Sequence, residues 1–318
     1  MNKTLIECVP NFSEGRDLPR VERIFSAISR VPGVLMLDRT SDHDHHRSVL
    51  TFAGRPHAVL EAAVLAARLA RDSIDLNQHR GVHPRIGALD VLPFIPLGTA
   101  SMEDCIALAH QAGDRIACEL GLPVYFYGEA ARLPARRLLE NVRHGQFEAL
   151  REAALLDNTR APDCGGPAFH PTAGAIAVGA RKILIAFNIN LQSTDLALAR
   201  SIARHIRASS GGFPSVKALG LPLVSRNLVQ VSMNLTDVEQ TSLPVVYAAV
   251  QDHATAAGAS IEETELIGLW PRAVYQSALA HGIKMPRDGS QRIIEDRIRP
   301  FLDTIQFPGP FLAGEKTC

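Results

Sequence analysis

The sequence predicts an α/β (α+β) protein built as two subdomains of the ferredoxin-like type, each with the element order βαββαβ. Three observations predict it. Short runs such as residues 228–234 alternate apolar and polar side chains, as a half-buried strand does. Longer Ala/Leu/Arg stretches such as residues 56–74 carry apolar residues at helical spacing. The order of strands and helices in the first half then repeats in the second, which is the split-βαβ arrangement used twice.

A strand at residues 5–9 opens the chain, followed by a helix near residues 19–29 and a strand at residues 34–38. After the polar turn SDHDHHR a second strand covers residues 48–53. The next helix starts at Pro56, a residue suited to a first helical turn, and runs to about Ile74. Extended structure resumes at residues 87–93. Ser101 and Asp104 are spaced as a capping box, and Gly121 stops the helix that they open. A short strand follows at residues 124–127. The second half reads as a strand at 182–188, a helix at 196–209 and strands at 216–223 and 228–234. A helix at 243–257 and an extended segment at 265–270 complete it. Each half can bury the face of a sheet under its helices. The boundary is expected in residues 158–174, rich in Gly and Pro and without helical periodicity. The subdomains are accordingly drawn at residues 1–178 and 179–318.

Composition narrows the function classes. The chain has 318 residues and is 46% hydrophobic, enough for two domains of common size. Its 33 basic residues cancel 33 acidic ones, so no electrostatic footprint for nucleic acid is present. No apolar run is long enough to cross a membrane, and the apolar part of the N-terminal stretch is too short for a secretory signal. Cys8, Cys105, Cys118, Cys164 and Cys318 form no CxxC pair, so a disulfide framework or zinc ribbon is not expected and the reducing cytoplasm is the default compartment.

The richest stretch is residues 79–94, HRGVHPRIGALDVLPF. Pro84 stiffens the turn that carries His83 and biases that histidine away from the helical region. Such a histidine suits acid–base work because its pKa lies near neutrality. The competing reading is a surface-loop histidine among solvated arginines, Arg80 and Arg85. The run Asp42-His43-Asp44-His45-His46-Arg47 offers five potential metal ligands, yet lacks the ligand spacing of a known metal site. A solvated turn accounts for it, and no metal is expected. Arg47, just before an apolar strand, is placed to bind a carboxylate through both guanidinium arms. The segment Gly165, Gly166, Pro167, Ala168, Phe169, His170, Pro171, Thr172, Ala173, Gly174 is small and stiff. It reads as a linker or as a loop whose backbone approaches a flat ligand; it has neither the dinucleotide fingerprint nor the P-loop lysine. Asn11 lies in the turn after the first strand, where ligands of open α/β sheets gather, although Asn is also an ordinary turn former. Asn188 and Asn190 alternate with apolar residues, so their amides share a face or else mark a strand end.

Taken together, the segments ECVPNFSEG, RSVLTFAG, HRGVHPRIGALDVLPFIPL, VYFYGEAA, HPTAGAIAVGAR and ILIAFNINL resemble the glutamate formimidoyltransferase (formiminotransferase) family. They run in the family's order across about the first 190 residues, and NLVQVSMNLTD continues the match more diffusely. The resemblance implies transfer of a formimino group from N-formimino-L-glutamate to N5 of tetrahydrofolate, giving 5-formiminotetrahydrofolate and L-glutamate within histidine breakdown. It implies His83 as the catalytic histidine, Gly165 to Gly174 as the folate-binding loop, and folate in a groove between two α/β subdomains. Tetrahydrofolate is then a co-substrate, with no metal. The partners are small molecules rather than nucleic acid or membrane, and a homodimer is compatible with the chain. At 318 residues the chain is expected to be the transferase without the cyclodeaminase domain fused to it in animals. Two positions depart from the family pattern: His46 stands where Asn usually precedes the Arg, and Ala173 where an aromatic often closes the folate loop.

The chemistry that this implies needs one proton shuttle. His83 takes the proton from N5 and returns it to the glutamate nitrogen, worth about a hundredfold to ten-thousandfold. Holding both substrates together supplies the rest. Asp38, at its strand end, is expected to orient His83 or to offset the amidinium charge. Two alternatives are a metal-dependent hydrolase of an amidine that uses the DHDHH turn, and a folate-binding scaffold without chemistry.

Overall fold

β1 (Thr4–Cys8) sends Ile6 and Cys8 to one face of a sheet, where both are fully buried. The computed structural model describes residues 4–304 except positions 44 and 82. Its chain divides into two units, one drawn from residues before Lys182 and one spanning Lys182–Asp303.

In the first unit β1 is followed by β2 (Asn11–Phe12), α1 (Leu18–Ser29), β3 (Val34–Asp42), β4 (Arg47–Gly54), α2 (Pro56–Ser73) and β5 (Leu89–Gly98). Then come α3 (Met102–Leu120), β6 (Val124–Gly128), α4 (Leu139–Val142), α5 (Gln146–Leu156) and β7 (Ile176–Ala180). β1 and β2 lie end to end between β4 and β5; β3 extends the sheet beyond β4, and β7 and β6 extend it beyond β5. The β3–β4, β4–β1 and β1–β5 pairs are antiparallel, whereas β5–β7 and β7–β6 are parallel. Side chains alternate across this sheet. Val124 and Phe126 join the core under α1, α2 and α3, while Tyr125 and Tyr127 pack on the other face with Val142 and Leu150 of α4 and α5. Five of the six alanines of α2 (Ala62, Ala63, Ala66, Ala67, Ala70) are buried, which lets that helix lie close to the sheet. α3 opens on the capping box that the sequence predicts. Ser101 Oγ accepts from Asp104 N at 3.1 Å and the Asp104 carboxylate accepts from Ser101 N at 2.8 Å.

The second unit contains β8 (Ile185–Leu191), α6 (Leu196–Ile206), β9 (Val216–Leu223), β10 (Leu228–Leu235), α7 (Leu243–Ala256) and β11 (Ile261–Ile267). α8 (Arg272–Ala280) and α9 (Ile294–Thr304) follow. Its sheet has the order β11-β8-β10-β9 with every neighbour antiparallel. Each helical crossover therefore skips one strand: β10 separates β8 from β9, and β8 separates β10 from β11. The first unit weaves the same way, with β4 between β1 and β3 and β1 between β4 and β5. Mixed α and β structure with two sheets is thus as the sequence predicts. No helix among the described residues is long and apolar enough to cross a membrane.

Several expectations need correction. Residues 158–174 are not a linker between units but part of the first. Cys164 O accepts from Val124 N at 3.0 Å, and the Asp163 carboxylate accepts from Phe126 N at 2.8 Å while pairing with Arg136. Downstream, Thr172 O and Ala173 O each accept at 2.8 Å, from Leu76 N and Ala88 N. The strand expected at 182–188 lies at Ile185–Leu191, and the one expected at 265–270 lies at Ile261–Ile267. Trp270 instead is fully buried and donates to Gly289 O at 2.9 Å, so its apolar neighbourhood reflects core packing rather than a strand. β2, β7, α4, α5, α8 and α9 were not anticipated.

Candidate active site

Two turns meet beside the β4–β2–β5 part of the first sheet. One is the tip of the β3–β4 hairpin, carrying His45 and His46; the other follows α2 and carries His79 and His83. They approach so closely at Gly81 that a Cβ there would lie 2.5 Å from His45 O and 2.8 Å from His46 Cβ. Glycine is the residue that permits such backbone contact. The crevice between them is lined by Phe12, Ser13, His45, His46, Arg47, His79, His83, Arg85 and Asp90, and it is too narrow to admit a water-sized sphere.

Behind the crevice the polar groups are largely buried. Glu14, 4% exposed, accepts from Arg16 N at 2.9 Å and Asp17 N at 3.0 Å, and pairs with Arg20 at 2.6 Å. His46 Nε2 donates to the same carboxylate at 3.0 Å. Burial pushes that carboxyl up, but the two backbone donors and His46 outweigh it and hold it below the ordinary range. The His46 ring stacks on His79 with centroids 4.3 Å apart, and His79 Nε2 donates to His46 O at 2.9 Å. Burial lowers the His79 pKa. His46 has φ +50, a left-handed conformation in which Asn and His are the commoner side chains. That accounts for Asn in the family pattern and for His being tolerated here.

His83 sits at the centre. Its Nε2 accepts a hydrogen bond from Arg47 Nη1, and its ring lies edge-on to His45 at 6.4 Å. Because a guanidinium can only donate, the neutral tautomer carries its lone pair on Nε2 and its proton on Nδ1. Burial, reinforced by Arg47, Arg143 and His45, pushes the pKa down to about 3. The expectation of a near-neutral pKa is therefore corrected: desolvation, and after it the Arg47 and Arg143 guanidinium groups, hold this imidazole neutral. Burial and Arg143 likewise push Arg47 down to about 10. Asp90, 2% exposed, accepts from Ile86 N at 2.8 Å and pairs with Arg143 at the end of α4.

The other predicted residues lie elsewhere or do other work. Arg85 lines the crevice but spends both arms on Glu148 of α5, at 3.0 and 2.7 Å. Asn11 donates to Val9 O at 2.7 Å and secures the kink between β1 and β2. Asp38 pairs in register with Thr51, four residues along β4 from Arg47, which is about 13 Å of strand. The carboxylate that lines the crevice is Asp90. Asn188 and Asn190 both lie within β8 in the second unit, Asn188 in its interior and Asn190 next to its last residue. Asn190 is fully buried and donates to Glu263 at 3.0 Å and Glu265 at 2.8 Å.

In the loop Gly165–Gly174, residues 165–168 are exposed, whereas the half-buried Phe169 packs edge-on against Tyr125 at 6.1 Å. Gly174 has φ +71, and a Cβ there would lie 2.2 Å from Ile86 O. This glycine seats the loop's end beside Ile86, three residues beyond His83. Among the described residues no three His, Cys, Asp or Glu side chains are grouped to hold a metal. His45 and His46 have turned instead to Asp42 and Glu14.

Sequence reasoning missed Asp90, Arg143 and the His46–His79 stack, and it gave no role of its own to Glu14 in the turn after the first strand. Asp90 had a readable signal, a carboxylate alone inside the apolar run ALDVLPF. Arg143 had none, because it reaches the crevice from an unanticipated helix.

Comparison with known proteins bears on this arrangement. Residues 5–181 match the model of the formiminotransferase domain, N-terminal subdomain, and residues 186–298 match that of the formiminotransferase domain. A glutamate formimidoyltransferase of Streptococcus pyogenes serotype M1 is 41% identical over 84% of this chain and 89% of its own length. One from Thermoplasma acidophilum is 44% identical over 84% of this chain and 88% of its own. A formimidoyltransferase-cyclodeaminase of Gallus gallus is 45% identical over 88% of this chain, which spans 52% of that longer protein.

Proposed function

The chain belongs to the formiminotransferase family, and on that premise we propose that it moves the formimino group of N-formimino-L-glutamate to N5 of tetrahydrofolate, with His83 as the proton shuttle. The products are 5-formiminotetrahydrofolate and L-glutamate. The observation that carries the role of His83 is its half-buried, neutral imidazole with the lone pair on Nε2, set among arginines.

The electrophile is the amidine carbon, activated when its nitrogen is protonated. The N5 lone pair bonds to that carbon and gives a tetrahedral adduct with three nitrogens. N5 becomes acidic once it has formed the bond, so even a weakly basic imidazole takes its proton. His83 Nε2 then returns that proton to the glutamate nitrogen, the carbon–nitrogen bond to glutamate breaks, and the formimino group stays on N5. No covalent enzyme intermediate is needed. Cys8 and Cys105 fit that scheme, since both are buried and burial pushes their thiols far from the thiolate form. Arg47 supplies positive charge for a substrate carboxylate. The exposed backbone of residues 165–168 and the placement of Gly174 beside Ile86 support a folate position next to His83.

The test is purified protein with formiminoglutamate, with and without tetrahydrofolate, in the presence of a chelator. The expected result is glutamate release that requires tetrahydrofolate and survives chelation. Release without tetrahydrofolate, abolished by the chelator, favours the metal-dependent hydrolase instead.

A further inference from the structure

Arg47 is half-buried and largely desolvated, yet among the described residues the hydrogen-bond partner of its guanidinium is an imidazole rather than a carboxylate. A guanidinium only donates, so its N–H occupies the one lone pair on which the proposed chemistry depends. While that bond stands, His83 Nε2 cannot receive a proton from N5. The charges nearby explain why the arrangement is provisional. Asp90 faces the crevice from β5 and pairs with Arg143 from the end of α4. Asp42, across the hairpin from Arg47, holds His45. Arg85 is matched by Glu148. Arg47 is the crevice arginine left on a neutral partner, and a carboxylate, which brings a full opposite charge, would hold it more strongly than an imidazole does. The crevice is also too narrow for a water-sized sphere, so a group that enters it must displace one of its walls.

We propose that Arg47 is a positioning residue that caps Nε2 of His83 in the free protein and is drawn off it by a carboxylate of the incoming formimino substrate, so that the base becomes competent only with substrate seated. This rests on the function proposed above and adds a sequence of events to it. The exchange breaks the Arg47–imidazole hydrogen bond and forms a guanidinium–carboxylate pair. It also gives the Arg47 guanidinium beside His83 a directly paired carboxylate, where Asp90 and Asp42 now act on it only from a distance. His83 then faces Arg143 with Asp90, His45 with Asp42, and the carbonyl of Pro84. Both effects make Nε2 more basic at the moment when a proton must be accepted.

The test reads His83 directly in the full-length protein by NMR of isotope-labelled histidine rings, assigned with His83→Asn. L-glutamate serves as the probe, because it carries the carboxylates but no transferable group; its binding is measured in parallel by calorimetry. In the free protein His83 should show no titration between pH 5 and pH 8. Saturating glutamate should bring a titration midpoint into that window. Arg47→Met should show the midpoint there without glutamate, with glutamate affinity at least tenfold weaker and KM raised for formiminoglutamate but not for tetrahydrofolate. Glutamate that binds without moving His83 overturns the proposal and leaves the proposed function standing. No glutamate binding together with no formimino transfer overturns the function on which it rests. The titration of the unsubstituted protein decides the matter even if Arg47→Met fails to fold.

Discussion

His83→Ala is expected to keep the fold and to slow formimino transfer about a hundredfold to ten-thousandfold, the range for a proton-transfer residue. Steady-state rates with both substrates varied check it. The same substitution should change stability with a definite sign. The imidazole is pushed down to about 3 in the folded protein, while an unfolded chain protonates it near 6.5. As pH falls from 6.5 towards 3 the unfolded state gains a proton that the folded state refuses, so wild-type loses stability across that window. The alanine variant should lose less, which urea unfolding at pH 7 and pH 5 measures. Arg143→Leu leaves the buried Asp90 carboxylate without its cation and is expected to cost about 3–5 kcal/mol in the same assay. At this scale the sequence revealed residue types and hid partners. The stiff GVHP turn and the arginine before an apolar strand were legible from composition and proline geometry. The Arg47–His83 hydrogen bond was not, because it joins residues 36 apart that only the packing of two turns brings together. The depressed pKa of His83 follows from the same contact and was hidden for the same reason.

Elements with local signals were read well, and those without were missed. The capping box of α3 is written in four consecutive residues, and Ser101→Ala should cost about 1 kcal/mol in urea unfolding. The alternation of β10 and the first-turn proline of α2 were equally visible. α4 is four residues long, too short for a periodic pattern. α5 begins after Gly145 with no side-chain cap at its N-terminus, so no start signal marked it. The segment before β7 looked like a linker because Gly and Pro dominate it, yet its backbone bonds tie it to β6 and to the turn before β5. Phe169 belongs to this scale. Its edge contact with Tyr125 predicts that Phe169→Ala lowers stability by about 1–2 kcal/mol, less than a fully buried ring would. Calorimetry with tetrahydrofolate on the same variant separates the roles. A large loss of folate affinity with unchanged stability would place the ring on the pterin instead.

The whole molecule is two woven α/β units, each with its own hydrophobic core. The repeated order of elements predicted that organisation, because a strand–helix–strand pattern must bury a sheet face wherever it recurs. Where one unit ends was less legible, since β7 follows the Gly/Pro-rich segment and still belongs to the first. Residues 182–303 carry a four-stranded sheet of their own and a separate core, so this fragment should fold alone, with a cooperative urea transition followed by circular dichroism. The central claim concerns the fate of one carbon. Formiminoglutamate labelled with 13C at the formimino carbon, incubated with the protein and followed by NMR, tests it most directly. The account predicts that the label passes to N5 of tetrahydrofolate as glutamate appears in equal amount, and that nothing happens without tetrahydrofolate. Label released as formamide in the absence of tetrahydrofolate would contradict it.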